Sequence, residues 1–518
     1  MVFMTFNELR ARHPRFIYRS FQSQLTNQGL ELSYQFELEP NIVFQPQVVI
    51  EGVQEADWLK LDKNLREQWV FQLGLAEIPS YWKAAASPEI VIEAGHLDQA
   101  GLEWWQQLLI EGMGEYFFVN QIDFTQEDLV KWSVTAPAAP LNSAAPLNSA
   151  APQAQTQPQS LPTAETTSSL KPYLVPLGGG KDSSLTVSLF HQHHPFGVFL
   201  LNPTPAMTEI ARLAEPIELI TAQRTIDPNL LALNQAGYLN GHVPFSAYLG
   251  LLSRLVGEIF NYQSIVISNE RSSNEGNVQF LGSEINHQWS KTYEFEQAFE
   301  KYLHQAGLVK TVTSQVTPDQ AAPPAYFSLL RPLYELQISR LLANSPLFDQ
   351  IAPVFRSCNR GQKTNSWCGQ CPKCLFTFIS LYPFLPDETV IGIFGENLLE
   401  KTSLLDEALA LLGKTETKPF ECVGTHEESL AAFYLCWQKF HQTNLTNSTS
   451  APALLNQVWE QVLSQEENLA DRSQAILQAW NDEHQVPAEL TKLLKAELAA
   501  VEETPPTVTA LPEEHAHD

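Results

Sequence analysis

Residues 174–190 read LVPLGGGKDSSLTVSLF. Tyr173–Leu177 has the profile of a buried strand, with Pro176 near its end as the discordant residue. Gly178, Gly179 and Gly180 let the chain bend tightly and approach a ligand with no Cβ in the way. Ser183–His191 is helix-compatible and begins just after the bend, so its first backbone N–H groups are free to point at whatever the bend holds. Ser183 and Ser184 add hydroxyls and Lys181 adds a positive charge. Strand, glycine loop and helix N-terminus together make a phosphate cradle. The spacing is neither G-x-x-x-x-G-K-[ST] nor G-x-G-x-x-G. The Asp182 carboxylate would repel a phosphate unless a cation stood between them, and Mg²⁺ fills that role by taking the carboxylate as an oxygen ligand. The plainer alternative is a glycine-rich turn before a helix capped by Asp182.

Working outward, apolar segments recur at Gly197–Leu201, Ile217–Ile220 and Ser264–Ser268. The helix-compatible stretches Ala206–Leu213 and Phe245–Ile259 lie among them. This alternation predicts an α/β fold, a parallel sheet covered by helices, over residues 171–411. Residues 1–134 read as an α+β unit, with FIYRSF, LELSYQFEL and FQPQVVIEG as strands and helical spacing over Leu102–Phe118. Residues 135–170 are rich in Ala, Pro, Ser and Gln, carry the repeat APLNSAAPLNSA, and are expected to be a flexible linker. Residues 412–498 are helical by pattern, broken at Asn444–Pro452 and near Pro487, and 499–518 form an acidic, Pro-rich tail expected to be disordered.

The chain has 518 residues and a formal net charge of −27, which weighs against a nucleic-acid-binding surface. The N-terminus lacks a secretory pattern, and no segment reaches the roughly 18 apolar residues of a membrane span. A soluble, cytoplasmic protein with no membrane or nucleic-acid partner is expected.

Four of the six cysteines fall close together: Cys358, Cys368, Cys371 and Cys374, spaced C-x9-C-x2-C-x2-C. Four thiolates suit tetrahedral Zn²⁺ and leave no open position, so such an ion is structural. A [4Fe–4S] cluster accepts the same ligands; zinc is favoured because nothing else in the chain suggests redox chemistry. Cys436 reads as a core residue, as does Cys422, although Cys422 lies in the polar-flanked ECVGTHEE, where facing the site or carrying a proton is the alternative, one without the second cysteine that a pair of proton carriers needs.

Candidates for chemistry follow from position. Glu270 and Arg271 come after the Ser264–Ser268 strand, at the end of a parallel sheet that faces ligands. Glu270 suits a metal or a proton, and Arg271 a phosphate or carboxylate. His242 in GHVPFS is a base, a substrate contact or a core histidine. Arg331 and Glu335 are four apart and share a face if both are helical, with Arg331 at the helix mouth. Arg356, Glu427 and Glu428 are further polar candidates, and a solvated turn or surface ion pair is the bland reading of each.

Leu177–Ser184 resembles the SGGxDS pyrophosphate loop of the PP-loop ATP pyrophosphatases, with Gly178 in place of the first serine and Lys181 at the variable position. The resemblance implies that Gly179 and Gly180 cradle pyrophosphate and that Asp182 and Ser183 complete the loop. Taken in order, VPLGGGKDSS (175–184), GHVPFS (241–246), ISNERSSNEGN (267–277), LLRPLYELQISRL (329–341), RSCNR and WCGQCPKCLF (356–376), IFGENLL (393–399) and PFECVGTHEE (419–428) resemble the UDP-N-acetyl-α-D-muramoyl-L-alanyl-L-glutamate epimerase family. That resemblance implies an ATP- and Mg²⁺-dependent isomerase of peptidoglycan precursor synthesis. Its substrate would be UDP-MurNAc-L-Ala-L-Glu, whose terminal L-Glu becomes D-Glu through an acyl-adenylate, with AMP and diphosphate released. It also implies functional coupling to a ligase that adds L-Glu to UDP-MurNAc-L-Ala. Other adenylating enzymes of the superfamily (a queuosine-type nitrile synthase, an amide ligase, a tRNA thiolase) and a non-catalytic nucleotide-binding scaffold remain alternatives.

Overall fold

The computed structural model describes residues 4–135, 170–309, 323–361, 364–443 and 450–503. The linker expected at 135–170 lies, but for its two end residues, outside the described residues, as do positions 504–518 of the expected tail. The tail's first residues are helical, because helix Ala488–Glu503 continues through them.

Among the described residues, eleven strands form one mixed sheet. They are β1 (Arg15–Leu25), β2 (Gly29–Leu38), β3 (Ile42–Phe44), β4 (Gln47–Glu51), β5 (Glu89–Ile92), β6 (Lys131–Val134), β7 (Lys171–Pro176), β8 (Phe196–Leu201), β9 (Glu218–Thr225), β10 (Tyr262–Ile267) and β13 (Tyr326–Ser328). A separate hairpin joins β11 (Val278–Phe280) to β12 (Ser283–Ile285). The order across the large sheet is β13-β10-β7-β8-β9-β4-β2-β1-β5-β6, with β3 beside β2. Pairing is parallel from β13 to β9, antiparallel from β9 through β4 and β2 to β1, and parallel again to β5 and β6.

The two halves differ in their residues as this arrangement requires. β8, FGVFLL, is buried along nearly its whole length, as a strand covered on both faces must be. β2, GLELSYQFEL, alternates buried and half-buried positions, the pattern of an antiparallel strand with one face on the core. The N-terminal strands do not stand apart from the glycine-loop region: β4 pairs with β9 from Gln47↔Thr225 to Ile50↔Ala222, so a single sheet runs through both.

Helices Lys63–Trp82 and Phe245–Phe260 pack on one face. Helices Lys181–His193, Glu335–Ala343, Pro372–Leu381 and His426–Thr443 fill the other. The helical C-terminal region follows, with Ala453–Gln461 starting just after Pro452 and Ala488–Glu503 just after Pro487. Both prolines sit immediately before a helix, where a missing N–H costs nothing. Among the described residues, no helix is long and apolar enough to cross a membrane.

The sheet order fixes where a ligand can sit. The chain leaves β7 for β8 on one side, while β10 lies on the other. The carboxyl end of β7 is therefore a switch point, where the flanking connections diverge and open a crevice. The glycine loop occupies that end.

Candidate active site at the glycine loop

The helix after the loop begins at Lys181, two residues earlier than its apolar pattern suggested, with Gly180 as its N-cap. Gly179 has φ +77°, a left-handed conformation, and a Cβ there would meet Met207 Cγ at 3.0 Å. Gly178, Gly180, Asp182 and Ser183 line a cleft. Lys181 and Ser184 are buried beneath it. Ser184 Oγ donates to Gly180 O (2.8 Å), closing the first helical turn, and the Lys181 ammonium pairs with Asp182 and Glu335. Lys181 thus neutralises carboxylates under the loop.

Three carboxylates from distant segments converge here. Oxygens of Asp182, Glu270 and Glu335 lie within 4.8 Å of one another. Burial, followed by the nearby Asp182 charge, raises the Glu270 carboxyl above its usual range. Such an oxygen set suits a hard divalent cation.

The opposite wall is cationic, with Lys291, Arg356 and Lys373 lining the cleft alongside Asn269. Arg356 and Lys373 reach it through the cysteine segment. The backbone N–H of Arg356 donates to Gly179 O (2.8 Å), and Lys181 N–H donates to Ser357 Oγ (3.1 Å), tying the residues before Cys358 to the glycine loop. Lys373 stands in the first turn of helix Pro372–Leu381, between Cys371 and Cys374. One sulfur from each of Cys358, Cys368, Cys371 and Cys374 falls within a 4.8 Å cluster, a soft donor set that fits Zn²⁺. Lys401, just beyond the IFGENLL block, braces this loop by donating to Gly369 O (2.9 Å) and pairs with Glu396 of the block (2.8 Å).

Arg331 and Glu335 do not share a helical face. The helix starts at Glu335, and Arg331 lies in the turn before it, fully buried. Its guanidinium donates to Glu270 O (2.6 Å), Ser273 Oγ (2.9 Å) and Lys291 O, and pairs with Glu296 (3.2 Å). Arg331 therefore holds the backbone at Lys291, which lines the cleft, and at Glu270 of the carboxylate set. Arg271 does not line the cleft; its guanidinium lies over the Tyr334 ring, 4.5 Å from the centroid. Glu428 is a buried staple, accepting from Ser272 Oγ (2.6 Å), Thr425 N–H (2.7 Å) and Leu336 N–H (3.2 Å), whereas Glu427 pairs with Arg472 at the surface (2.6 Å).

His242 also stands away from the glycine-loop cleft, with Nδ1 3.9 Å from Glu115 Oε2 and its ring 5.7 Å from that of His287. Burial, with smaller contributions from His287 and Lys291, brings its pKa down to about 3, so the ring is neutral. Sequence reasoning missed Lys291, Lys373, Glu115 and His287. Lys373 carried a signal, since it lies inside the cysteine motif.

A family model for the MurL N-terminal domain matches residues 7–312, and one for the MurL C-terminal domain matches residues 354–471. The chain belongs to the MurL family. Three curated relatives agree, each named UDP-N-acetyl-alpha-D-muramoyl-L-alanyl-L-glutamate epimerase. The Micromonospora sp. protein is 35% identical over 366 residues, covering 69% of this chain and 72% of that one. Those of Xanthomonas oryzae pv. oryzae (33%; 68% and 71%) and Salinispora tropica (33%; 69% and 70%) are similar. No solved structure matches. The cleft draws on both matched regions: the N-terminal match contributes the glycine loop, Asn269 and Lys291, and the C-terminal match contributes Arg356, Ser357 and Lys373. Arg331 and Glu335 lie between the two matches.

Proposed function

We propose that this chain is an ATP-dependent epimerase that converts the terminal L-Glu of UDP-MurNAc-L-Ala-L-Glu to D-Glu through an acyl-adenylate, with a PP-loop as its nucleotide site. The observation that carries the reading is the convergence, at a sheet switch point, of a glycine loop, three carboxylates and three cations in a chain whose relatives bear the epimerase name. The N–H groups around Gly180 and the Ser183 hydroxyl bind the β- and γ-phosphates. Lys291, Arg356 and Lys373 balance the charge of the leaving diphosphate. Asp182, Glu270 and Glu335 would hold Mg²⁺ in place of the Lys181 ammonium that pairs with two of them, and the ion would neutralise phosphate charge beside these carboxylates. The Cys358–Cys374 zinc site is structural and sets Arg356 and Lys373 in place.

Adenylation explains why an isomerase would consume ATP. Removing the α-proton of a free carboxylate puts a second negative charge beside the first. Joining the carboxylate to AMP removes its charge and makes the carbonyl electron-withdrawing, so the α-proton becomes far more acidic. The proton leaves one face and another returns to the opposite face. Water then releases the epimerised carboxylate and AMP. The D-Glu product enters peptidoglycan synthesis, and a ligase that adds L-Glu to UDP-MurNAc-L-Ala supplies the substrate.

The test is a quenched reaction of the full chain with Mg-ATP and UDP-MurNAc-L-Ala-L-Glu, following nucleotides by phosphorus NMR and resolving L- from D-Glu after hydrolysis. AMP and diphosphate appearing with D-Glu at unchanged substrate mass is the expected result. AMP without D-Glu would move the assignment to another adenylating reaction. ATP binding with no turnover would leave a scaffold.

A further inference from the structure

Epimerisation needs a group that takes the α-proton. This inference rests on the proposed function. Asp182, Glu270 and Glu335 face one another at cation-binding distance, and the proposed function gives them to Mg²⁺. The described titratable groups beside them include Lys181, already paired with Asp182 and Glu335, and Lys291. Lys291 lines the cleft, and its ammonium donates to Cys422 Sγ at 3.0 Å. Cys422 is half-buried, unlike Cys436, which is fully buried in the core. The thiol therefore stands one hydrogen bond behind the cationic wall.

A second observation comes from His287, which is 5% exposed. Asn277 Nδ2 donates to Pro419 O (2.9 Å), which fixes the amide and turns Oδ1 toward His287. That oxygen accepts both the His287 backbone N–H (3.0 Å) and Nδ1–H (2.8 Å). The tautomer is thereby set, leaving Nε2 as a lone-pair acceptor. Nε2 is buried and has no hydrogen-bond partner among the described residues. The ring stands edge-on to Phe420, two residues before Cys422, at 5.9 Å, and to His242 at 5.7 Å. A buried acceptor with a fixed lone pair calls for a donor, from a water or a ligand. The glutamyl peptide N–H is such a donor, and it is one bond from the α-carbon.

We propose that Cys422, hydrogen-bonded to Lys291, is the catalytic residue that removes the α-proton of the adenylated glutamyl group, while His287 Nε2 receives that residue's peptide N–H. The sulfur takes the proton and an S–H bond forms. The C–H electron pair passes into the acyl group as an enolate. A proton returns to the other face of the carbon from a second acid. Glu115 is the candidate for that acid, its carboxyl oxygen lying 3.9 Å from Nδ1 of His242, whose ring stands 5.7 Å from that of His287. The S–H proton and the one Glu115 loses then re-equilibrate with water. The electrostatics agree. Burial alone would raise the thiol, but Lys291 and Lys373 override it and bring its pKa down to about 7. Burial brings Glu115 up to about 7, so that carboxyl keeps a proton to give.

The experiment uses the full chain and its Cys422→Ser variant in D₂O with Mg-ATP and UDP-MurNAc-L-Ala-L-Glu. Two readouts are taken: AMP formation, and deuterium entering the glutamyl α-position. General-base catalysis contributes roughly 10²–10⁴-fold, so deuterium entry and D-Glu formation should fall about 100-fold or more while AMP formation is largely kept. Deuterium entry at the wild-type rate overturns the proposal. So does an equal loss of both readouts in a variant whose circular dichroism and zinc content match wild type, because the thiol would then serve the nucleotide site. If the variant does not fold, iodoacetamide on the wild-type chain replaces it. Alkylation of Cys422, mapped by mass spectrometry and slowed by substrate, should stop deuterium entry ahead of AMP formation; alkylation that leaves deuterium entry intact overturns the proposal. Wild-type chain that forms no AMP defeats the proposed function itself, and this inference with it.

Discussion

Among the described residues, two donor sets fit metals, and they are built in opposite ways. The four thiolates come from one short stretch, Cys358–Cys374, and their sulfurs are drawn inward, with three of the four cysteines fully buried. The three carboxylates come from residues 182, 270 and 335 and meet because the sheet order and the helix at Glu335 bring them together. The soft set can close on its ion and act only as scaffold. The hard set borders the cleft through Asp182 and can share its ion with a ligand. Yet the scaffold is not remote from chemistry, because Arg356 precedes it and Lys373 lies within it.

The largest expected effect tests that link. Cys374→Ser should release zinc, lowering its apparent affinity by more than the roughly 10–100-fold that loss of an outer-shell partner costs. AMP formation should be lost with it, as Lys373 and Arg356 leave the cleft. Metal analysis together with diphosphate-release assays reads both. A variant that lost its metal but kept full AMP formation would separate the two regions.

Next in size is a contrast between buried charges. Arg331 and Glu296 form a fully buried pair, and Arg331 also grips the carbonyls of Glu270 and Lys291. Arg331→Met leaves Glu296 uncompensated, at a cost on the order of 3–5 kcal/mol in urea unfolding, with an unchanged Mg²⁺ requirement in the folded fraction. Glu335→Gln should act the other way round. It removes one oxygen ligand from the carboxylate set and should raise the Mg²⁺ concentration for half-maximal AMP formation by roughly tenfold or more. If Arg331→Met shifted the Mg²⁺ requirement and Glu335→Gln did not, the division between support and ligand would be reversed.

The same contrast explains what the sequence could reveal. The glycine loop, the β7, β8 and β10 segments and the cysteine cluster are local patterns, set by residues a few positions apart. The single sheet was hidden, because the β4–β9 register joins residues some 175 positions apart and no local pattern marks it. Arg331 and Glu335 suggested one helical face, but Pro332 lacks the N–H to continue a ladder, and the helix waits until Glu335. Lys291 sits in a three-residue 3₁₀ turn, Trp289–Lys291, that matches no motif; its place is set by Arg331 from another segment. His287 depends on Asn277, whose amide is fixed in turn by Pro419.

The smallest predicted effect concerns the buried region behind the cleft. Burial first, then the Lys291 charge, brings His287 down to about 3, and His242 reaches about the same value. An unfolded histidine titrates near 6.5, so between about pH 3 and 6.5 the unfolded chain binds protons that the folded chain refuses. This contribution to stability is present above pH 6.5 and is lost as pH falls through that window. Glu115 and Glu421, each raised by burial to about 7, work in the opposite sense. Their contribution is full below the usual carboxylate pKa and is lost as pH rises toward 7. The two effects oppose each other between about pH 4.5 and 6.5, and only the histidines act below that. His287→Gln should therefore reduce the proton uptake on unfolding by about one over the acid window, measured as the slope of urea-unfolding free energy against pH, with the alkaline side unchanged. An unaltered acid slope would mean that His287 is already protonated in the folded chain. Its Nε2 would then carry a hydrogen, and the acceptor assigned to the peptide N–H would be a donor instead.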